Sequence, residues 1–305
     1  MTERVAQQVH VHAPWKIPPR AWWEILKRVY TAMSANHIGL LAAGVAYYAF
    51  LSIAPLLGAV VLTYGLFGDP AMVGRHMQAI ISVVPQDAAG LINDQLLGVV
   101  STAKPAIGFG LLLALVLAIY GATRAASAIM ESLNIVYGQK EGRNILRFYR
   151  TSMSITFSAV LVVVAGVLTA TIIGLLQDFL TGWGPAVLFA IKALTWVLAG
   201  LLASLIFGLI YRFGPDRRQA QWQWLTVGSV AATIFWLLAT LGVSFYVSTF
   251  GNYNKTYGSL GAVVVLQLWL FVSAYIVLLG AQINAEAERQ TSADTSVAPA
   301  EEKAA

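Results

Sequence analysis

The sequence predicts an all-α membrane protein: a polytopic helical bundle of six transmembrane helices with both termini in the cytoplasm, an N-terminal interfacial amphipathic helix and short outer-face helices. Three observations carry this expectation. Of 305 residues, 58% are hydrophobic and only 11% charged, whereas an ordinary soluble domain is about one quarter charged. The apolar residues are gathered into charge-free runs, Ile38–Gly68, Pro105–Thr123, Thr151–Gln177, Ala193–Tyr211, Gln219–Asn254 and Thr256–Ala285, each about as long as or longer than the ~17–25 residues of a bilayer-spanning helix. The basic residues then alternate. Five precede the first run (Arg4, Lys16, Arg20, Lys27, Arg28), five lie between the second and third (Arg124, Lys140, Arg143, Arg147, Arg150), three follow the fourth (Arg212, Arg217, Arg218) and two sit in the tail. The intervening segments hold two (Arg75, Lys104), none and one (Lys255). This is the positive-inside asymmetry of a chain that starts and ends in the cytoplasm.

Taken in order, residues 1–19 read as a flexible segment, and the leader lacks the short apolar core and small-residue site of a cleavable signal. Pro18-Pro19 opens a helix in which Trp22, Leu26, Val29 and Met33 recur on one side and Arg20, Glu24, Lys27, Arg28 and Thr31 on the other. Such a basic, tryptophan-bearing helix is expected in the cytoplasmic headgroup layer, anchoring the first span. Residues 20–288 form the membrane domain, with spans at about 38–64, 105–126, 151–177, 186–211, 222–247 and 259–283. Span one is dense in small residues, and Pro55 deprives the Leu51 carbonyl of its amide partner, so a kink is expected with Ser52 or a neighbouring helix meeting the freed group. The outer segment 65–104 carries two helix-like stretches around Val84-Pro85. The helical pattern of span two continues past Arg124 to Val136. Ala114, Ala118, Ala122 and Ala126 make a packing seam along it, and Arg124, Glu131 and Asn134 a polar ridge at its cytoplasmic mouth. Gly166, Ala170 and Gly174 repeat the small-residue seam in span three, and Gly200, Ser204 and Gly208 repeat it in span four. Span six carries the amides Gln267, Gln282 and Asn284. Residues 289–305 read as a disordered cytoplasmic tail.

The chemistry is mostly exclusion. With no cysteine, disulfides, thiolate catalysis and cysteine metal sites are ruled out. The four histidines never approach a ligand spacing, the fourteen acids are scattered, and Gly251-Asn-Tyr-Asn-Lys255-Thr256 lacks the glycine that a phosphate loop needs before its lysine. No metal, cofactor or catalytic residue is assigned. The positive charge is accounted for by topology, so no nucleic-acid partner is expected. Membrane lipids are the expected partners, together with an anionic or amphipathic envelope substrate. Lys192 is the one charge well inside an apolar run. It either snorkels to the outer headgroups or faces a cavity that binds an anion.

Read together, Ala46-Tyr-Tyr-Ala-Phe-Leu-Ser-Ile-Ala-Pro-Leu-Leu57, Arg124 through Leu133-Asn-Ile-Val-Tyr137, Tyr211-Arg-Phe-Gly-Pro-Asp216, Lys255-Thr-Tyr-Gly-Ser-Leu-Gly261 and Leu268 through Gly280-Ala-Gln-Ile-Asn284 resemble the YihY/BrkB family of bacterial inner-membrane proteins over roughly residues 30–288. Gln282 stands where many members carry a glutamate. The resemblance implies a six-span plasma-membrane protein, with some members linked to serum resistance or envelope lipid export. The family also carries an old label as the tRNA-processing ribonuclease BN, which no carboxylate or histidine cluster here supports. The expected role is therefore a non-enzymatic transporter or flippase-like protein for an envelope component. The alternatives are a membrane scaffold and the ribonuclease. The substrate pathway is expected to use Tyr47, Tyr48, Ser52, Pro55, Arg124, Glu131, Asn134, Lys192, Lys255, Tyr257 and Gly258.

Overall fold

The computed structural model describes residues 17–67, 104–158, 161, 185–217, 222–250 and 259–289, and among them the regular structure is helical throughout. The helices are α1 (Pro19–Ala35), α2 (Ile38–Phe67), α3 (Lys104–Val136), α4 (145–158), α5 (Pro185–Phe213), α6 (Trp222–Phe250) and α7 (Ser259–Arg289). Among the described residues, three helical stretches are long and apolar enough to cross a bilayer: Gly108–Val136, Ala193–Phe213 and Val263–Arg289. A fourth is added if α1 and the first part of α2, which meet at 63°, form one broken span. The outer segment, most of the third expected span and the tail beyond Arg289 lie outside the described residues.

The chain forms two compact units, one of residues 1–47 with 125–305 and one of residues 48–124. In the first, α6 packs on both α5 and α7, and α1 packs on α7. The small-residue seam expected on α5 faces α6: Ser204 Oγ donates to Ser229 Oγ at 3.4 Å, and a side chain at Gly200 would meet Thr233 and Leu237. The crossing of α6 with α7 is closer still. A β-carbon at Gly280 would sit 2.7 Å from the Gly228 carbonyl oxygen and 2.8 Å from Ala232 Cβ. Small residues of this kind let helix backbones touch where burial from water no longer drives association. The core between them is built from Leu133, Tyr137, Phe207, Tyr211, Ala232, Leu278 and their neighbours.

The inner face of α1 includes most of the expected apolar row, with Val29 buried and Trp22 and Met33 packed partly buried beside it, but it is shifted towards Ala21 and Ile25. Helix formation itself follows expectation: Pro18 is extended at φ −66° and ψ 150°, Pro19 takes the first helical position, and the Pro18 carbonyl accepts from Ala21 N–H at 2.9 Å. The buried row is Ala21, Ile25 and Val29, seated against Ile283 and Ala287 of α7, while Leu26 of the expected apolar row is 47% exposed. The i, i+4 repeat of a small residue followed by two branched ones fits closely against a neighbouring helix, and it displaces Leu26 to the exposed side. Trp23, Leu26 and Tyr30 remain exposed on the outer face, with the Lys27 ammonium 5.4 Å from the Trp23 ring centroid.

In the second unit α2 and α3 cross tightly. A β-carbon at Gly121 would lie 2.9 Å from Ser52 Cα and Cβ, and Gly58 faces Ala114. The helix assignment of α2 runs unbroken through Pro55. Ser52 Oγ donates to the Ala49 carbonyl at 2.7 Å, so of the two partners expected for the Leu51 carbonyl the Ser52 hydroxyl is not the one. A hydroxyl on a helix reaches back about one turn, and Leu51 precedes Ser52 by only one residue.

Candidate functional site

The carboxyl ends of α3, α5 and α7 meet in the first unit. Each leaves carbonyls without intrahelical partners and a partial negative charge, so the junction requires donors and cations. α3 closes on Gly138, whose φ of +66° is a left-handed conformation. Gly138 N–H donates to the Ile135 carbonyl at 3.1 Å and Gln139 N–H to that of Asn134 at 2.7 Å, the paired bonds of a Schellman terminus. Three arginines reach the remaining carbonyls: Arg289 Nη2 meets Val136 O at 3.4 Å, Arg217 Nη2 meets Tyr211 O at 3.4 Å, and Arg143 Nη2 donates to Gly214 O at 2.9 Å.

The last turns of α7 supply the acids. Gln282, Asn284, Glu286 and Glu288 are all buried. Polar residues spaced by two on a helix fall on opposite sides, because two residues turn the chain about 200°. They therefore form two stripes. Gln282 and Glu286 face α1: Asn36 Nδ2 donates to Gln282 Oε1 at 2.9 Å, Gln282 Nε2 donates to Glu286 Oε1 at 3.2 Å, and Arg28 and Arg289 pair with Glu286 at 3.3 and 2.6 Å. Asn284 and Glu288 face the other way. Gly228 N–H donates to Asn284 Oδ1 at 2.7 Å, and Arg217 Nη1 pairs with Glu288 Oε2 at 2.7 Å. The Arg217 guanidinium also lies 3.9 Å from the centroid of the Tyr137 ring, an attraction that strengthens when desolvated. Tyr211 Oη donates to the Val277 carbonyl at 2.8 Å, tying α5 to α7. Gln282 both accepts and donates here, and a glutamate in its place would set two carboxylates one turn apart in a buried site.

At the rim, Asn134 joins three segments. Its Nδ2 donates to Glu141 Oε2 at 2.8 Å and its Oδ1 accepts from Asp216 N–H at 2.7 Å. Arg143 grips Glu141 through both of its oxygens at 2.7 Å, and Gly142 N–H donates to Asp216 Oδ2 at 2.9 Å. Partial burial pushes the Glu141 carboxyl up, but the bonds from Arg143 and Asn134 outweigh it and hold the group below its ordinary value.

Of the residues singled out from sequence, Asn134 belongs to this junction. The expected ridge joining it to Glu131 does not form, since Asn134 is buried and Glu131 exposed. Tyr47 lies on α2 and is 55% exposed. In the second unit, Tyr48 and Arg124 come together: the guanidinium lies 5.8 Å from the Tyr48 ring centroid and 5.9 Å from that of Tyr120. Ser52 sits at the Gly121 crossing, and Pro55 follows on α2. Lys192 lies on α5 with its side chain outside the described residues, as are Lys255, Tyr257 and Gly258. Sequence reasoning missed Arg217, Glu286 and Glu288. The available signal was the spacing by two from Gln282 to Glu288, continuous with an apolar helix. Among the described residues no three His, Asp or Glu side chains are grouped to hold a metal ion.

No solved structure matches the chain. A ribonuclease-like protein of Bacillus subtilis strain 168, YfkH, is 29% identical over 64% of this chain and 78% of its own length. A UPF0761 membrane protein of Tolumonas auensis is 27% identical over 82% of this chain and 80% of its own, and one of Cronobacter sakazakii is 26% identical over 91% and 92%. The segments through Tyr137, Asp216 and Asn284 that carried the sequence resemblance converge on one polar junction, and the model of the virulence factor BrkB family matches residues 29–305, so the chain belongs to that family of membrane proteins.

Proposed function

We propose that this protein is a six-span inner-membrane transporter or flippase-like protein with cytoplasmic termini, moving an anionic or amphipathic envelope component without chemical change. The observation that carries this reading is the enclosure of Arg217, Glu286 and Glu288 at one end of a bundle of mainly apolar helices. Ionisable groups in such a setting are expensive and are kept for pathways and moving elements. Apolar packing would hold a passive anchor together as well or better. Arg124, beside the rings of Tyr48 and Tyr120, supplies a cation that can attract an anionic headgroup, and Lys192 a second.

The test is flux in liposomes containing the purified chain and a fluorescent anionic lipid. Transport that falls at least tenfold in Arg124→Ala and Lys192→Ala, with folding intact, supports the reading; a loss of that size corresponds to about 1.4 kcal/mol. Absence of flux from the folded wild-type protein would leave a scaffold role. Metal-dependent RNA cleavage that follows the protein through purification would move it towards the activity suggested by the YfkH name.

A further inference from the structure

The geometry points to a binding site for an anionic phospholipid in the groove between α4 and α5. α4 presents three different faces. Ser152 is buried, its Oγ 3.1 Å from Ser127 Oγ, and packs α4 on α3. Leu146, Met153 and Phe157 form an exposed apolar face. The third face, Arg150, Ser154 and Ser158, stands across a groove of about 360 Å³ from Ile206, Ile210 and Phe213 of α5. That volume lies within the ~300–1,000 Å³ of small-molecule sites.

The groove's chemistry is divided along its length. Ser154 Oγ donates to the Arg150 carbonyl at 2.9 Å and Thr151 Oγ1 to that of Arg147 at 3.0 Å. Their donors are thereby used within the helix, and the wall between Ser154 and Ile206 is effectively apolar. At the end marked by Phe213 the charge is positive. Arg212 lies 5.7 Å from the Phe213 ring centroid, and Arg150, which lines the groove, has no side-chain hydrogen bond or ion pair among the described residues. A slot of apolar width that ends in the Arg150 guanidinium is complementary to a phosphodiester bearing an acyl chain, with phosphate at Arg150 and chain between Ser158 and Ile206. A soluble phosphate would leave the slot empty, and a neutral lipid tail would leave Arg150 without its counter-charge. The site gives the proposed transport a lipid-loading position and rests on that reading for its purpose. Occupancy is measured without flux, however, so lost transport with intact occupancy would remove the function and leave the site standing.

The full chain in nanodiscs of phosphatidylcholine is given a trace of phosphatidylglycerol bearing a diazirine in its acyl chain, and the adducts are mapped by mass spectrometry. Labelling is expected within 154–158 and 206–210, and to fall about fivefold, the loss of one cation near a lipid surface, in Arg150→Gln or with the matching phosphatidylcholine probe. Arg150→Lys should restore most of it. Ser154→Phe, which fills the slot, should abolish it with the fold verified by thermal unfolding. Equal labelling by both probes, unchanged in Arg150→Gln, would show ordinary annular lipid and overturn the proposal. So would competition by millimolar glycerol phosphate, which would indicate a phosphate site alone, or the absence of adducts in these stretches, which would mean that protein fills the groove.

Discussion

Gly138 illustrates how one residue fixes the junction. Its φ of +66° is a conformation that costs an L side chain about 1–2 kcal/mol, and a left-handed residue is what lets the two bonds to Ile135 and Asn134 close α3. Gly138→Ala is expected to lower the unfolding free energy by about 1 kcal/mol, and Gly138→Asn by less. Thermal unfolding in detergent measures both, and an unchanged midpoint in the alanine variant would show that the turn is not under this constraint. Glu141 makes a prediction in pH. Its carboxyl is held below its ordinary value of 4.5, so the stabilisation from its charge is complete above that value and is lost as pH falls through the lower, folded one. Wild type and Glu141→Gln should therefore differ in thermal midpoint at neutral pH, and the gap should close as the pH is lowered below the ordinary carboxylate range. A gap that did not narrow on acidification would mean that the stabilisation is packing rather than charge.

At the scale of elements, α7 is the organising helix because its two polar stripes hold different neighbours. One holds α1 through Asn36 and Arg28, and the other holds the end of α5 through Arg217. The Arg217–Glu288 pair has side chains only 0% and 3% exposed, so removal of either partner strands a buried charge. Arg217→Gln and Glu288→Gln should each cost about 3–5 kcal/mol, and the double variant much less than their sum. Strict additivity in a double-mutant cycle would show that the two side chains act independently. The same pair explains why this region was hard to read from sequence. The apolar runs announced α2, α3, α5, α6 and most of α7, since a helix in lipid must be oily. From Gln282 onward, by contrast, the residues are half polar and resemble the start of a tail, and only the partners supplied by Arg28, Arg217 and Arg289 permit them to be helical and enclosed. Likewise α1 was legible as an amphipathic helix, but the shift of its inner face from Leu26 towards Ala21 and Ile25 depended on the surface of α7.

For the whole molecule, the structure places the ends of α3, α5 and α7 and the start of α6 at one polar pole of the first unit, where Arg143, Arg217 and Arg289 are gathered. These arginines belong to segments that the alternation of basic residues assigns to the cytoplasm, so fold and charge pattern agree on which ends of the helices share a side. Their common side can be identified directly, because a chain with no cysteine needs no background removal before single thiols are introduced. Lys140→Cys, beside the junction, should resist a membrane-impermeant maleimide in intact cells and react once the membrane is opened. Thr181→Cys and Asn252→Cys, in segments assigned to the opposite side, should react in intact cells. The positive-inside bias rests on lysine and arginine counts alone, so the decisive result is the sign of this contrast. Labelling of Lys140→Cys in intact cells would invert the arrangement, placing the arginine-bearing pole outside and the lipid groove at Arg150 in the outer leaflet.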